Sequence, residues 1–136
     1  MSEVAPLILL AEDDRNIRET TYDLLTLAGF RVRTATTGRE AGAVLERERM
    51  DLVITDLVMP EGDGAWLIER IRGDKLLRGL PVILLTAHAD TTKNAAHARE
   101  LANAYLTKPF DPDLLIEAAK RWSRCSPLER ELLSPS

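Results

Sequence analysis

The chain has 136 residues, with 18 Lys+Arg against 22 Asp+Glu for a formal net charge of −4, and is 45% hydrophobic but only 4% aromatic. That length fits one domain able to bury about two-thirds of the surface its unfolded chain exposes, so no disulfide framework is required and the single Cys125 has no partner within the chain. A cytoplasmic protein is expected, without a membrane span, because the apolar run Leu7 to Ala11 is too short and no basic leader precedes it; without a Lys/Arg-rich block, direct nucleic-acid binding is excluded too.

Short apolar runs recur at Leu7 to Leu10, Val32 to Ala35, Leu52 to Thr55, Val82 to Leu85 and Ala104 to Leu106, each followed by a helical pattern. Strands alternating with helices predict a parallel sheet covered on both faces. Asp14 is placed to cap a first helix whose inner face is Ile17, Thr21, Leu24, Leu25 and Ala28, and Gly29 to stop it in the left-handed conformation. Thr37-Gly38-Arg39-Glu40 reads as a capping box ahead of Ala41, Val44 and Leu45. Asp63 or Gly64 opens a third helix with Leu67, Ile68 and Ile71 inward, and Thr91 to Ala102 reads as a more polar fourth helix. Asp111-Pro112-Asp113 opens the last, with Leu114, Leu115, Ala118, Ala119 and Trp122 as its face. Residues 126–136 read as a tail able to form one short helix or the start of a linker.

In an open α/β sheet, ligands bind beyond the carboxyl ends of the strands. After the first strand come Glu12, Asp13 and Asp14, after the third Asp56, after the fourth Thr86, and after the fifth Lys108 and Pro109. Carboxylates, one hydroxyl and one ammonium at a single edge suit a metal and a phosphoryl group. Two carboxylates about 4 Å apart repel by roughly 4 kcal/mol at an effective dielectric of about 20. Lys108 offsets only one charge, so a hard divalent cation is expected, and few carboxylates with retained waters suit Mg2+.

These residues resemble those of the receiver domain of two-component response regulators. The matching pieces are Leu7 to Ala11 running into Glu12-Asp13-Asp14, Asp56-Leu57-Val58-Met59-Pro60 with Gly62-Asp63-Gly64, Thr86-Ala87, and Tyr105-Leu106-Thr107-Lys108-Pro109. Asp13 to Asp56 is 43 residues, Asp56 to Thr86 is 30 and Thr86 to Lys108 is 22, intervals that suit β-α-β crossovers. The resemblance covers about Pro6 to Arg124, implying a receiver domain over residues 1–125 followed by the 126–136 tail. It implies a single doubly wound (βα)5 sandwich, flavodoxin-like, with parallel strand order 2-1-3-4-5.

By the same resemblance, Asp56 accepts a phosphoryl group from a sensor histidine kinase or a histidine phosphotransfer protein. Asp13 and Asp56 ligate Mg2+ directly, Glu12 does so through water, and the Val58 backbone carbonyl completes the protein ligands. Lys108 and Thr86 meet the phosphoryl oxygens, and Tyr105 rotates as Thr86 moves. The output is protein contact through the face of the fourth helix, fifth strand and fifth helix, toward a downstream target protein and with scope for a phosphorylation-dependent homodimer. Such a chain is no enzyme beyond self-phosphorylation from phosphodonors and autodephosphorylation. Val58 and His88 occupy positions that govern water access to the acyl phosphate, with apolar Val58 expected to slow hydrolysis. Lys108-Pro109 resembles a bond often held cis, and His97 is expected to be a solvated surface group.

Two other chemistries fit less well. A metal-dependent phosphohydrolase would carry a second acid two residues after Asp56, where Val58 stands. A nucleotide or flavin binder would need a G-x-G-x-x-G or G-x-x-x-x-G-K-[ST] loop, which none of the seven glycines builds. A further alternative keeps the receiver but makes it the regulatory part of a larger transcription factor or enzyme.

Overall fold

In the computed structural model, described for residues 5–61, 63–87 and 92–123, the alternating runs become five strands and five helices. In chain order these are β1 (Leu7–Ala11), α1 (Arg15–Leu27), β2 (Arg31–Ala35), α2 (Gly38–Arg47), β3 (Leu52–Asp56), α3 (Gly64–Gly73), β4 (Val82–Ala87), α4 (Lys93–Leu101), β5 (Ala104–Lys108) and α5 (Pro112–Ser123). All strand pairs are parallel and the order is β2-β1-β3-β4-β5, as the resemblance implies.

β1 and β3 are buried along their whole length, which is why they read as unbroken apolar runs. Their residues still alternate between faces. Leu7, Leu9 and Val53 point into one core with Val44, Leu45, Leu67, Ile68 and Ile71 of α2 and α3. Ile8, Leu10, Leu52 and Ile54 point into the other, with Leu25 of α1 and Leu115, Ala119 and Trp122 of α5. Each such fully buried aliphatic side chain contributes about 1.5–3 kcal/mol. α4 buries only Ala95 and Ala98, so it rests on the domain through small side chains.

Four helix starts follow the sequence: Asp14, Thr37 and Asp63 each accept a hydrogen bond from the amide three residues on, and the Asp111 carboxylate accepts from the Asp113 amide at 2.8 Å. The cap of α4, which sequence did not single out, is Thr92, accepting from the Ala95 amide. Gly29 follows α1 at φ 99°, in the left-handed region. Two details differ. At the capping box, Thr37 accepts from the Glu40 amide, but the Glu40 carboxylate accepts from Thr36 rather than from Thr37 itself. On α5, Leu114 is half exposed while Ile116 packs against the core, because the helix presents Leu115, Ala119 and Trp122 inward. The 126–136 tail, Gly62, His88 and Thr91 lie outside the described residues.

Candidate functional site

The strand register brings the sequence-predicted residues to one edge. Ala11 pairs with Thr55 and Asp56 with Leu85, so Glu12 follows β1 at the level at which Asp56 ends β3, with Asp13 one residue further on. Thr86 pairs with Thr107 and Ala87 with Lys108, which puts the Thr86 hydroxyl and the Lys108 ammonium at the same edge. Lys108 Nζ lies 2.7 Å from Glu12 Oε1 and 3.0 Å from Asp56 Oδ2. Lys108–Pro109 is a cis bond.

Burial sets the electrostatics. The Glu12 side chain is fully buried and that of Asp56 nearly so, while Asp13 is exposed. Burial pushes the Glu12 carboxyl above its ordinary value of 4.5, the Lys108 hydrogen bond opposes this, and the charge of Asp56 adds to the rise. For Lys108, burial works against the ammonium, but hydrogen bonds to Glu12 and Asp56 outweigh it and hold the pKa above 10.5. The pair is unequal: the ammonium gains more from its two carboxylates than burial takes away, whereas at Glu12 burial outweighs the one shared ammonium.

Glu12, Asp13 and Asp56 each offer an oxygen, and these atoms all lie within 4.8 Å of one another. Three hard oxygen donors against a single ammonium fit a divalent cation better than any soft or purely organic ligand. Asp14, the remaining acid of the run, is engaged elsewhere as the cap of α1, where its carboxylate accepts from the Ile17 amide at 2.9 Å. Thr86 is fully buried, and its hydroxyl has no hydrogen-bond partner among the described residues. An orphan buried hydroxyl is costly, which marks it as a group awaiting an acceptor.

Tyr105 is 52% exposed, with the Arg99 guanidinium 5.7 Å from its ring centroid. Val58 is 67% exposed, two residues beyond Asp56. His97 is half exposed, as expected of a surface group, but its Nε2 lies 2.9 Å from Glu69 Oε1, a pairing across α3 and α4 that single-helix reasoning could not see.

Three contributors were not assigned a site role from sequence. Gly64 begins α3 against the backbone of β3: a Cβ there would collide with the Asp56 carbonyl and come within 2.8 Å of Leu57 Cα. The Gly62-Asp63-Gly64 pattern was the available signal. Arg18 donates to the carbonyls of Glu12 and Asp13, and its place four residues after the Asp14 cap was the only hint. Arg72, half-buried at the end of α3, binds oxygens of four other residues, and nothing local announces it.

The fold is thus a doubly wound sheet with acids, a buried hydroxyl and a lysine converging at its carboxyl edge, the architecture of a receiver domain. The model of the response regulator receiver domain family matches residues 8–120, and the chain belongs to that family. It is 41% identical over 118 residues to the transcriptional regulatory protein GlrR of Escherichia coli, covering 87% of this chain and 26% of that protein. It is 37% identical over 120 residues to the transcriptional regulatory protein GltR of Pseudomonas aeruginosa, covering 88% and 50% respectively. The chain thus spans half or less of these relatives. Among solved structures, the receiver domain of a histidine kinase from Syntrophus aciditrophicus is 34% identical, with a TM-score of 0.82, covering 90% of this chain and 96% of that one. The receiver domain of a Pseudomonas aeruginosa sensor histidine kinase, solved with magnesium in its active-site cleft, is 30% identical with a TM-score of 0.81, covering 89% and 99%. Among the described residues, no helix is long and apolar enough to cross a membrane.

Proposed function

We propose that this receiver is a phosphorylation-activated switch of a two-component or phosphorelay system, with Asp56 as the phosphoryl acceptor. The observation that carries the reading is the Lys108 ammonium bridging Glu12 and Asp56 beside the orphan Thr86 hydroxyl. An ionised Asp56 oxygen attacks the phosphorus of a phosphohistidine on a sensor histidine kinase or phosphotransfer protein. The new O–P bond forms as the N–P bond to the imidazole breaks, and the departing nitrogen takes a proton. Such transfers need positioning and charge neutralisation more than covalent help. Lys108 supplies one positive charge at the acceptor, and Thr86 supplies the donor its buried position lacks a use for in this state.

Asp13, Asp56 and the Val58 carbonyl would hold Mg2+, with Glu12 acting through water; the ion, when bound, neutralises charge on the transferring group. A groove of about 490 Å3 between α1 and the loop after β5, lined by Ile17, Thr20, Leu24, Pro109 and Phe110, adjoins Lys108 and suits a phosphodonor's surface. After transfer, the acyl phosphate draws Thr86 and Lys108 toward its oxygens. Tyr105 then turns inward as Thr86 moves, and the α4-β5-α5 face presents a different surface to a downstream target protein or a second copy of the chain. Only a bias between two arrangements is required.

On this reading residues 1–125 form the receiver, residues 126–136 are its tail, and the chain acts in the cytoplasm. Its own chemistry is limited to self-phosphorylation and autodephosphorylation. The fraction of GlrR and GltR that the chain spans favours a second reading of the output, in which the receiver controls an effector domain. The size of the native protein in its source cells separates the two. The acceptor chemistry is tested with magnesium and a small phosphodonor such as acetyl phosphate: a phosphoryl mass gain on Asp56 is expected, and absence of labelling in folded, magnesium-binding protein would sink the reading.

A further inference from the structure

The peptide segment leaving β1 carries two of the three clustered acids, yet the sheet stops supporting it there. The last ladder bond beside it runs from the Glu12 amide to the Ala35 carbonyl at 3.0 Å. Beyond that point the carbonyls of Glu12 and Asp13 are bound by one side chain, Arg18, whose Nη1 donates to them at 3.1 and 3.3 Å. Arg18 is itself fixed, since its amide donates to the Asp14 carbonyl at 2.9 Å within the first turn of α1. The side chain is half-buried. One guanidinium nitrogen thus ties helix α1 back onto the turn from which it starts.

Charge alone would not choose this residue. A guanidinium beside a cluster of acids weakens their attraction for a second cation. Its geometric effect has the opposite sign, because a turn that is already ordered need not be ordered when an ion binds. We propose that Arg18 is a positioning residue for the divalent cation, clamping the Glu12 and Asp13 carbonyls so that the two carboxylates stand ready beside Asp56. This rests on the reading of Glu12, Asp13 and Asp56 as the magnesium site. It also separates Arg18 from Arg15, which is exposed on the same helix and pairs with Glu19 at 3.0 Å.

The test is a calorimetric magnesium titration of the wild type, Arg18→Met, Arg18→Lys and Arg15→Met, together with amide exchange in metal-free protein. Arg18→Met should bind magnesium on the order of tenfold more weakly, the usual scale for losing a group that orients ligands. Arg18→Lys should recover part of that loss, and Arg15→Met should bind as well as the wild type or better. The Asp14 amide, which donates to Glu12 Oε2 at 3.2 Å, should exchange faster in Arg18→Met while the Leu25 amide in the α1 core does not. Equal or tighter magnesium binding by Arg18→Met would mean that only charge is felt, and would overturn the proposal. If the wild type binds no magnesium, the metal reading fails by itself, and unchanged Asp14 exchange would then refute the clamp. Should Arg18→Met not fold, Arg18→Gln carries both measurements.

Discussion

Lys108 Nζ sits closer to Glu12 Oε1, at 2.7 Å, than to the Asp56 Oδ2 it is positioned to serve, at 3.0 Å. Glu12 is the more deeply buried of the two, so in the metal-free protein the ammonium chiefly compensates Glu12. Removing one partner of a buried pair costs about 3–5 kcal/mol because the other charge is stranded. Lys108→Met should therefore lose about 3 kcal/mol in chelator, discounted toward the lower value because the Lys108 side chain is 21% exposed. Saturating magnesium should restore much of it. Denaturant unfolding with and without the ion checks this; an equal loss in both conditions would contradict it.

The same pair predicts an alkaline stability limit. The Lys108 pKa is raised above 10.5 in the folded state. Above 10.5 the folded protein therefore holds a proton that the unfolded chain releases. Its contribution is fully present below 10.5 and is lost as pH rises through the higher folded value. In metal-free urea melts, the wild type should lose its advantage over Lys108→Met in that window, and a constant difference would contradict the assignment.

Gly64 and Gly42 both begin or line helices, yet alanine should act oppositely at the two. At Gly64 a Cβ meets backbone of Asp56 and Leu57, which cannot step aside, so Gly64→Ala should cost about 1–3 kcal/mol and slow labelling of Asp56. At Gly42 a Cβ would meet only the Arg70 and Trp66 side chains at 3.6 Å, ordinary contact. Gly42→Ala inside α2 should then stabilise by about 0.5–1 kcal/mol. Thermal unfolding of both variants decides.

Arg72 donates to the carbonyls of Leu101 at 2.9 Å, Arg78 at 2.9 Å and Leu80 at 2.7 Å, and to Asn103 Oδ1 at 2.7 Å. Burial lowers its pKa to about 10, so it remains charged at neutral pH. Arg72→Met should cost about 2–3 kcal/mol by leaving these acceptors unpaired. Arg72→Lys should recover less than half, since an ammonium lacks the planar fork. The amides of α4 should exchange faster in both variants, because Leu101 is the last residue of that helix.

Val58 stands exposed two residues beyond Asp56. Replacing it by asparagine removes an apolar screen and gives water a hydrogen-bonding partner near the acyl phosphate. Phosphoryl half-life should shorten several-fold in Val58→Asn, and an unchanged or longer half-life would count against the screening role.

Local order in this protein was legible because its causes are local. Asp14, Thr37 and Asp63 cap the helices that follow them, and apolar runs of strand length form β1, β3 and β4 where expected. The acids after β1 and β3 could be read as one site because parallel strands end at a common edge. The helix pattern already placed Asp14 as the cap of α1, and the resemblance gave Glu12 and Asp13 to the site of Asp56; what sequence did not show is that the Glu40 carboxylate would turn to the Thr36 amide. Nor could it show that Leu114 faces outward while Ile116 packs inward, a choice made by where α5 lies on the sheet.

What the sequence determined by itself was therefore the set of elements and the chemical inventory at their ends. The tertiary structure alone decided which of those groups meet. Glu12 and Lys108 are 96 residues apart, on strands separated by two others in the sheet. Arg72 finds Leu101 and Asn103 29 and 31 residues away. Residue periodicity records how each segment is buried, whereas these encounters depend on how the crossovers stack the layers, and only packing fixes that.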